Sequence, residues 1–300
     1  MKKKLILLIL IMINLISCRE KIVKIDEIEK RIEISKTEGV IEIFYKKGEN
    51  EPFTGKIVKD FENDDISFEI NVKDGKKDGA SITYYYPKEI QIKEVYKNGK
   101  LDGNRTTYYR GGQIQSERTY ENGIPINEAK YYYEDGKVQE FIDYKNKIIK
   151  KYYRDGVLAL EVKFLGNNER KYEGEAKLYF ETGEILGIEE FKNGTLDGKS
   201  VYYYKNGNIH QKGYYKNGVR EGEYIIYYEN GNMEEKTFYQ KGALKNGRRI
   251  TYYENGNIRT ESFHDNQGLY HGEVKKYYEN GKVKVIEIYE HGKFISKKEF

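Results

Sequence analysis

The chain of 300 residues has no tryptophan, one cysteine, 3 prolines, 3 methionines and 4 histidines. A lone cysteine excludes an internal disulfide, so no covalent brace can hold the fold. His210, His264, His271 and His291 fall in no metal-binding motif, and we read them as surface or turn residues. An excess of one charge is missing as well, with 53 Lys and Arg against 49 Asp and Glu. Nucleic acid and anionic lipid both need a clustered basic footprint, so neither is expected as the main partner. Beyond Ile16 no apolar run approaches a membrane span. Mean hydropathy is −0.86, and aliphatic side chains are too few for one deep core.

What is present begins at the N-terminus. Lys2, Lys3 and Lys4 precede a run from Leu5 to Ile16 that is apolar except for Asn14, the pattern of a signal peptide over residues 1–17. Leu15-Ile16-Ser17-Cys18 then resembles the lipobox of bacterial lipoproteins, which implies that Cys18 becomes the acylated N-terminus. Removing residues 1–17 takes three lysines and no acid, leaving 50 basic residues against 49 acidic ones. The protein is therefore expected to be exported and lipid-anchored to the bacterial cell envelope, facing the outer surface or the periplasm. Membrane contact would run through the acyl group alone.

The body repeats. An aromatic closes each of ten units at Phe61, Tyr85, Tyr109, Tyr133, Tyr153, Phe180, Tyr204, Tyr228, Tyr253 and Tyr278, with spacings of 24, 24, 24, 20, 27, 24, 24, 25 and 25. Nine of the ten are preceded by tyrosine, and each is followed five residues later by an aliphatic or Met, from Ile66 to Val283. Three residues after the closing aromatic, eight units carry glycine: Gly112, Gly136, Gly156, Gly183, Gly207, Gly231, Gly256 and Gly281. Asn-Gly or Asp-Gly there predicts a type I′ hairpin turn, because both central residues tolerate positive φ. A second glycine recurs eleven residues further on, as in Asn98-Gly99 and Asn217-Gly218, and marks a return turn.

Tyr224-Ile225-Ile226-Tyr227-Tyr228 and its equivalents favour strand, while a glycine every ten residues or so disfavours helix. The expected fold is all-β: an elongated antiparallel β-hairpin repeat array of about ten units over residues 51–300, a single-layer twisted meander. Residues 18–50 are expected to form a spacer and capping strands. Ile22, Ile25, Ile28 and Ile32 suit a short amphipathic helix, and Ile41 to Tyr45 alternates like a strand. Capping is expected because an open array leaves strand edges unpaired.

The run Asp197-Gly198-Lys199-Ser200-Val201-Tyr202-Tyr203-Tyr204-Lys205-Asn206-Gly207-Asn208-Ile209, followed by Tyr215-Lys216-Asn217-Gly218, resembles a MORN repeat of the second, bacterial variety. The resemblance covers about residues 51–300, and Pro52-Phe53-Thr54-Gly55 resembles the opening of a first unit. It implies a hairpin array with a role in interactions, and some members of the family carry an antitoxin label. Pro87-Lys88, Asn146-Lys147 and the segment from Leu165 to Gly174 depart from the pattern.

Enzymatic chemistry finds little footing. Gly194 to Ser200 superficially resembles a phosphate-binding loop, but it is one residue short and a tyrosine-rich strand follows where a helix is required. Glu69, Glu117, Glu161 and Glu261 recur on second strands and are expected to face lysines across the sheet. No acid pair is singled out for glycoside hydrolysis. The recurring residues build strands and turns, whereas catalysis needs one asymmetric pocket. We therefore expect no catalysis and no cofactor, and a surface-displayed scaffold that binds a protein partner. A cell-wall or carbohydrate-binding module is the alternative, with tyrosine faces as stacking platforms, although the choline-binding repeats it resembles lean on tryptophan. An antitoxin or immunity protein is a third reading. Tyrosines left over on the outer face would then be the binding candidates.

Overall fold

A computed structural model describes residues 21–35, 39–62, 65–166, 170–265 and 267–300. The expected signal peptide and Cys18 lie outside the described residues. The chain divides into two compact units, Met1–Lys137 and Val138–Phe300. Apart from one 3-10 turn at Ile25–Glu27, every regular element among the described residues is a strand.

In the first unit, strand Gly55–Asp60 pairs antiparallel with Ile66–Lys73, and the meander continues through Lys76–Tyr85, Glu89–Lys97, Lys100–Tyr108 and Ile114–Glu121 to Ile124–Tyr132. Period-two alternation, as in Ile66-Ser67-Phe68-Glu69-Ile70-Asn71-Val72, gives each strand two usable faces. Ile57 and Val72 meet Val23, Ile28, Phe44 and Phe53 in a small core. Burying side chains of this size is worth about 1.5–3 kcal/mol each.

The helix expected across Ile22 to Ile32 does not form. Ile22–Lys24 is a strand running parallel to Gly55–Asp60, with Val23 opposite Ile57. Ile28–Ser35 pairs with Gly39–Lys46 as a separate two-stranded sheet. The physical reason is the edge. A helix would leave the N–H and C=O groups of Gly55–Asp60 unpaired on that side, whereas a parallel strand satisfies them and buries Val23. Three backbone bonds attach the two-stranded sheet to the array: Phe53 N–H to Phe44 O, Phe44 N–H to Gly75 O and Gly75 N–H to Phe53 O, each 2.8 Å.

The second unit is a meander from Val138–Asp143 through thirteen further strands to Lys293–Glu299, and the two-residue Val219–Arg220 pairs with the end of Ile209–Lys216. Cross-strand pairing carries Ile142, Ile149, Val162, Ala176, Glu189 and Ser200 along one row of one face. Thr237 and Ser262 flank Arg249 further along that face. Except for Glu189 and Arg249 these side chains are buried, so this tight face holds the core in a strip of small and branched residues. The opposite, more open face carries Lys177, Ile188, Val201, Lys212, Ile225, Lys236, Ile250, Glu261 and Lys275 in register, of which Ile225 and Ile250 are buried.

The two kinds of turn differ from expectation in one respect. Type I′ geometry sits at the return turns, where Asn98 and Gly99 have φ of 50° and 84°, and Asn217 and Gly218 51° and 81°. At the Tyr-Tyr hairpins only the glycine is left-handed, as at Gly207 with φ 86°, and its N–H donates to Tyr204 O at 2.9 Å. That is a type I turn closed by a glycine bulge, with Tyr204 N–H donating to Asn208 O at 2.8 Å, and a second bulge follows where the register shifts between Tyr202 and Tyr203 and leaves His210 without an opposite residue. The extra residue leaves room for Asn206 to remain right-handed.

Candidate interaction surface

The closing aromatics recur most strictly along the chain. The hydroxyls of Tyr85, Tyr109, Tyr153, Tyr204, Tyr228 and Tyr253 donate to the carbonyl oxygens of Tyr108, Tyr132, Tyr179, Tyr227, Tyr252 and Tyr277, at 2.7–3.3 Å. Each bond runs from one repeat to the next. Tyr133 is half-buried at the same station, while Tyr278 in the last repeat is 44% exposed. Gly112, Gly136, Gly207, Gly231, Gly256 and Gly281 all lie at φ between 80° and 90° and bond the carbonyl of their closing tyrosine at 2.9–3.1 Å.

Side chains tie neighbouring turns together on both edges. Asn206 and Asn208 donate to Glu229 O, Asn230 and Asn232 to Glu254 O, and Asn255 and Asn257 to Glu279 O, at 2.6–3.5 Å. At the return turns an acceptor twenty residues upstream caps the left-handed residue. Asp78 serves Asn98, Asp102 serves Asn122, Glu173 serves Asn193, Asp197 serves Asn217 and Glu221 serves Lys241, at 2.7–3.1 Å. Thr54 does this for Asp74 and His271 for His291. In the sequence each acid has a turn-like neighbour but no sign of its partner; the constant offset of twenty was the signal available.

Tyrosine hydroxyls on the faces are occupied too. Tyr84 bonds Glu69 at 2.9 Å and Tyr132 bonds Glu117 at 2.7 Å, and burial, reinforced by those carboxylates, pushes both phenols up to about 12. Tyr202 bonds Glu189 at 2.6 Å and is raised for the same reasons. On the tight face the Arg220 guanidinium lies 4.0 Å from the Tyr224 ring centroid and donates to the hydroxyl of Tyr239 at 3.0 Å. Of the recurring glutamates, Glu69 pairs with Lys56 at 3.2 Å, Glu161 with Lys150 at 2.9 Å and Glu261 with Arg248, while Glu117 takes a tyrosine instead.

The large exposed tyrosines among the described residues are Tyr86, Tyr214, Tyr270 and Tyr278, and of these Tyr214 stands on the open face. That face shows side chains that vary between repeats, including Lys199, Tyr214, Glu223, Arg248, Phe263 and Ile288. The segment from Gly194 to Ser200 is a return turn and strand, with Asp197 engaged in capping. His264, His271 and His291 gather near Asp265, which accepts from His291 Nδ1 at 2.7 Å and is held below its usual range by that bond. Among the described residues no group of three or more His, Cys, Asp or Glu is placed to hold a metal ion, and no helix is long and apolar enough to cross a membrane. An open polar depression of about 240 Å³ is lined by Asn104, Thr106, Glu117, Arg118, Glu128 and Lys130.

The profile of the MORN repeat variant matches the chain seven times, at residues 101–122, 127–146, 172–193, 196–217, 220–241, 245–266 and 270–291. The stretch from Phe53 to Asn98 lies before these segments yet carries the same capping bonds. No curated protein matches the chain. Among solved structures, the TcdB2-TccC3-Cdc42 crystal structure is similar at 11% identity, over 87% of this chain and 17% of that one, with a TM-score of 0.17. The Photorhabdus luminescens Tc holotoxin pore is similar at 9% identity, over 87% and 20%, with a TM-score of 0.15. The chain thus spans a fifth or less of those chains, and so low a score carries no argument.

Proposed function

Because the chain belongs to the MORN repeat variant family, whose repeats suggest a binding or scaffold role, we propose that it is a non-catalytic protein-interaction scaffold, held at the cell envelope by an acyl group on Cys18. One observation supports this above the others. The residues that recur, the closing tyrosines, turn glycines, asparagines and capping acids, are consumed in bonds between repeats. The side chains that vary stand on the open face, where they are available to a partner. A surface of this kind binds through contacts spread along its length, each of them modest.

The test is a truncation series. The partner is first recovered by cross-linking to the intact chain in envelope preparations. Whole 24-residue periods are then removed one at a time, and capture is expected to fall in steps. Loss of all capture on removal of one unit, with the remaining strands still formed by circular dichroism, would overturn the distributed surface.

A further inference from the structure

The last four repeats carry a pattern that the fold does not require. On the open face, cross-strand pairing sets Lys199 beside Tyr214, Glu223 beside Phe238, Arg248 beside Phe263 and Glu273 beside Ile288. Each pair joins one charged and one apolar side chain, at equivalent places in successive repeats. The charges run positive, negative, positive, negative. Tyr214, Phe263 and Ile288 are 45%, 40% and 37% exposed, and Phe238 is half-buried. Repetition alone would place one residue type at all four stations, and the preceding pair, Glu175 with Glu190, is acidic on both sides.

An alternating row of four is its own complement when read backwards. We propose that this face is a docking surface for a second copy of the chain, related by a two-fold axis parallel to strand Met233–Gln240. Repeats of the two copies then run in opposite directions, face to face. Lys199 meets Glu273 of the second copy and Glu223 meets Arg248, each twice. Tyr214 meets Phe263, and Phe238 meets its own counterpart on the axis. In the adjacent row Lys212 falls opposite Glu261, while Ile225 and Ile250 are buried within their own chain and take no part in the docking. Lys236 falls opposite itself, each copy held by its own Glu223. Slipping the copies by one repeat sets Glu223 against Glu273 and Arg248 against Arg248, so the charges fix the register as well as the partner.

Within one chain Arg248 pairs with Glu261, and Glu273 with Lys275 at 3.1 Å, yet the side chains of Glu223, Arg248 and Glu273 remain 42%, 48% and 42% exposed. They are oriented on the surface and still open to a second partner. The inference uses the same open face as the scaffold reading, and the two are tested separately, since the truncation series does not read self-association.

Sedimentation velocity of the full chain over a range of concentration and salt reads the proposal directly. A monomer–dimer equilibrium that weakens with salt is expected. Lys199→Glu or Glu273→Lys alone creates two like-charge contacts per dimer and should weaken association about tenfold or more. An equimolar mixture of the two variants, or both changes in one chain, restores opposite charges and should restore the dimer. A chain that stays monomeric throughout, dimers indifferent to the single reversals, or reversals that fail to rescue each other would each overturn the proposal. Circular dichroism of each variant separates loss of docking from loss of fold.

Discussion

A closing tyrosine works at two levels of the chain at once. Its backbone brackets the hairpin turn of its own repeat, and its hydroxyl reaches the carbonyl of the next. Replacing Tyr228 by Phe removes the 2.7 Å bond to Tyr252 O without changing the ring, and Phe180 already occupies an equivalent station. Loss of one such bond should cost about 1 kcal/mol, read as a lower urea midpoint at constant slope. Gly207 is held by its backbone, since at φ 86° nothing lies within 4 Å of where a Cβ would stand. Gly207→Val is therefore a test of conformation alone and should cost about 1–3 kcal/mol. Lys88→Val, in a turn without that left-handed glycine, should cost much less, and equal losses would refute the turn assignment. The raised phenols of Tyr84 and Tyr132 carry a pH dependence with a definite sign. Their folded values, up to about 12, lie above the ordinary value of 10, so their contribution is intact below pH 10 and is lost as pH climbs toward 12. Tyrosinate absorbance and far-ultraviolet dichroism should change together in that window. Complete ionisation near pH 10 with the strands intact would contradict it.

At the scale of the element, a repeat is defined by what it hands to its neighbour. Deleting residues 205–228 joins Tyr204 to Glu229-Asn230-Gly231-Asn232, which restores a hairpin turn of the same type with the same pair of asparagines. The shortened chain is expected to keep its strand content and to melt only modestly earlier, as a sum over units and interfaces predicts; loss of all β-signal would show that the period was cut in the wrong frame. The repeat itself was legible because Tyr-Tyr, Asn-Gly and the aliphatic five residues on mark strand, turn and strand in fixed order. The turn type was not, since Asn-Gly fits both geometries and only the bulge at the Tyr-Tyr end decides between them. The bonds between repeats were hidden for a different reason. Their acceptors at Tyr252 or Glu229 are backbone carbonyls, which carry no residue identity. Isoleucines spaced by three misled at Ile22 to Ile28 because the strand partner, Ile57, lies more than thirty residues away in sequence. The alternating charges of Lys199, Glu223, Arg248 and Glu273 could have been read off the period, but only pairing places them on one face beside Tyr214 and Phe263.

For the molecule as a whole, attachment and assembly are separable questions. Cys18→Ser is expected to shift the protein from the membrane pellet to the soluble fraction, and retention in the pellet would remove the acyl anchor from the proposal. The spacing of the bonds between repeats has a further consequence, for the order in which the fold can be made. The tyrosine bonds described above join residues 23–26 apart, and the capping bonds at the return turns join residues 20 apart. Sheets are usually slow to form because their partners are distant along the chain and the loop between them must close first. Within each unit, from Gly55–Asp60 onward, each long strand pairs with the long strand made just before it, and its stabilising side chains arrive within one further repeat. A growing chain can therefore lay down structure from its first repeat onward as it emerges, one period at a time, without waiting for its C-terminus.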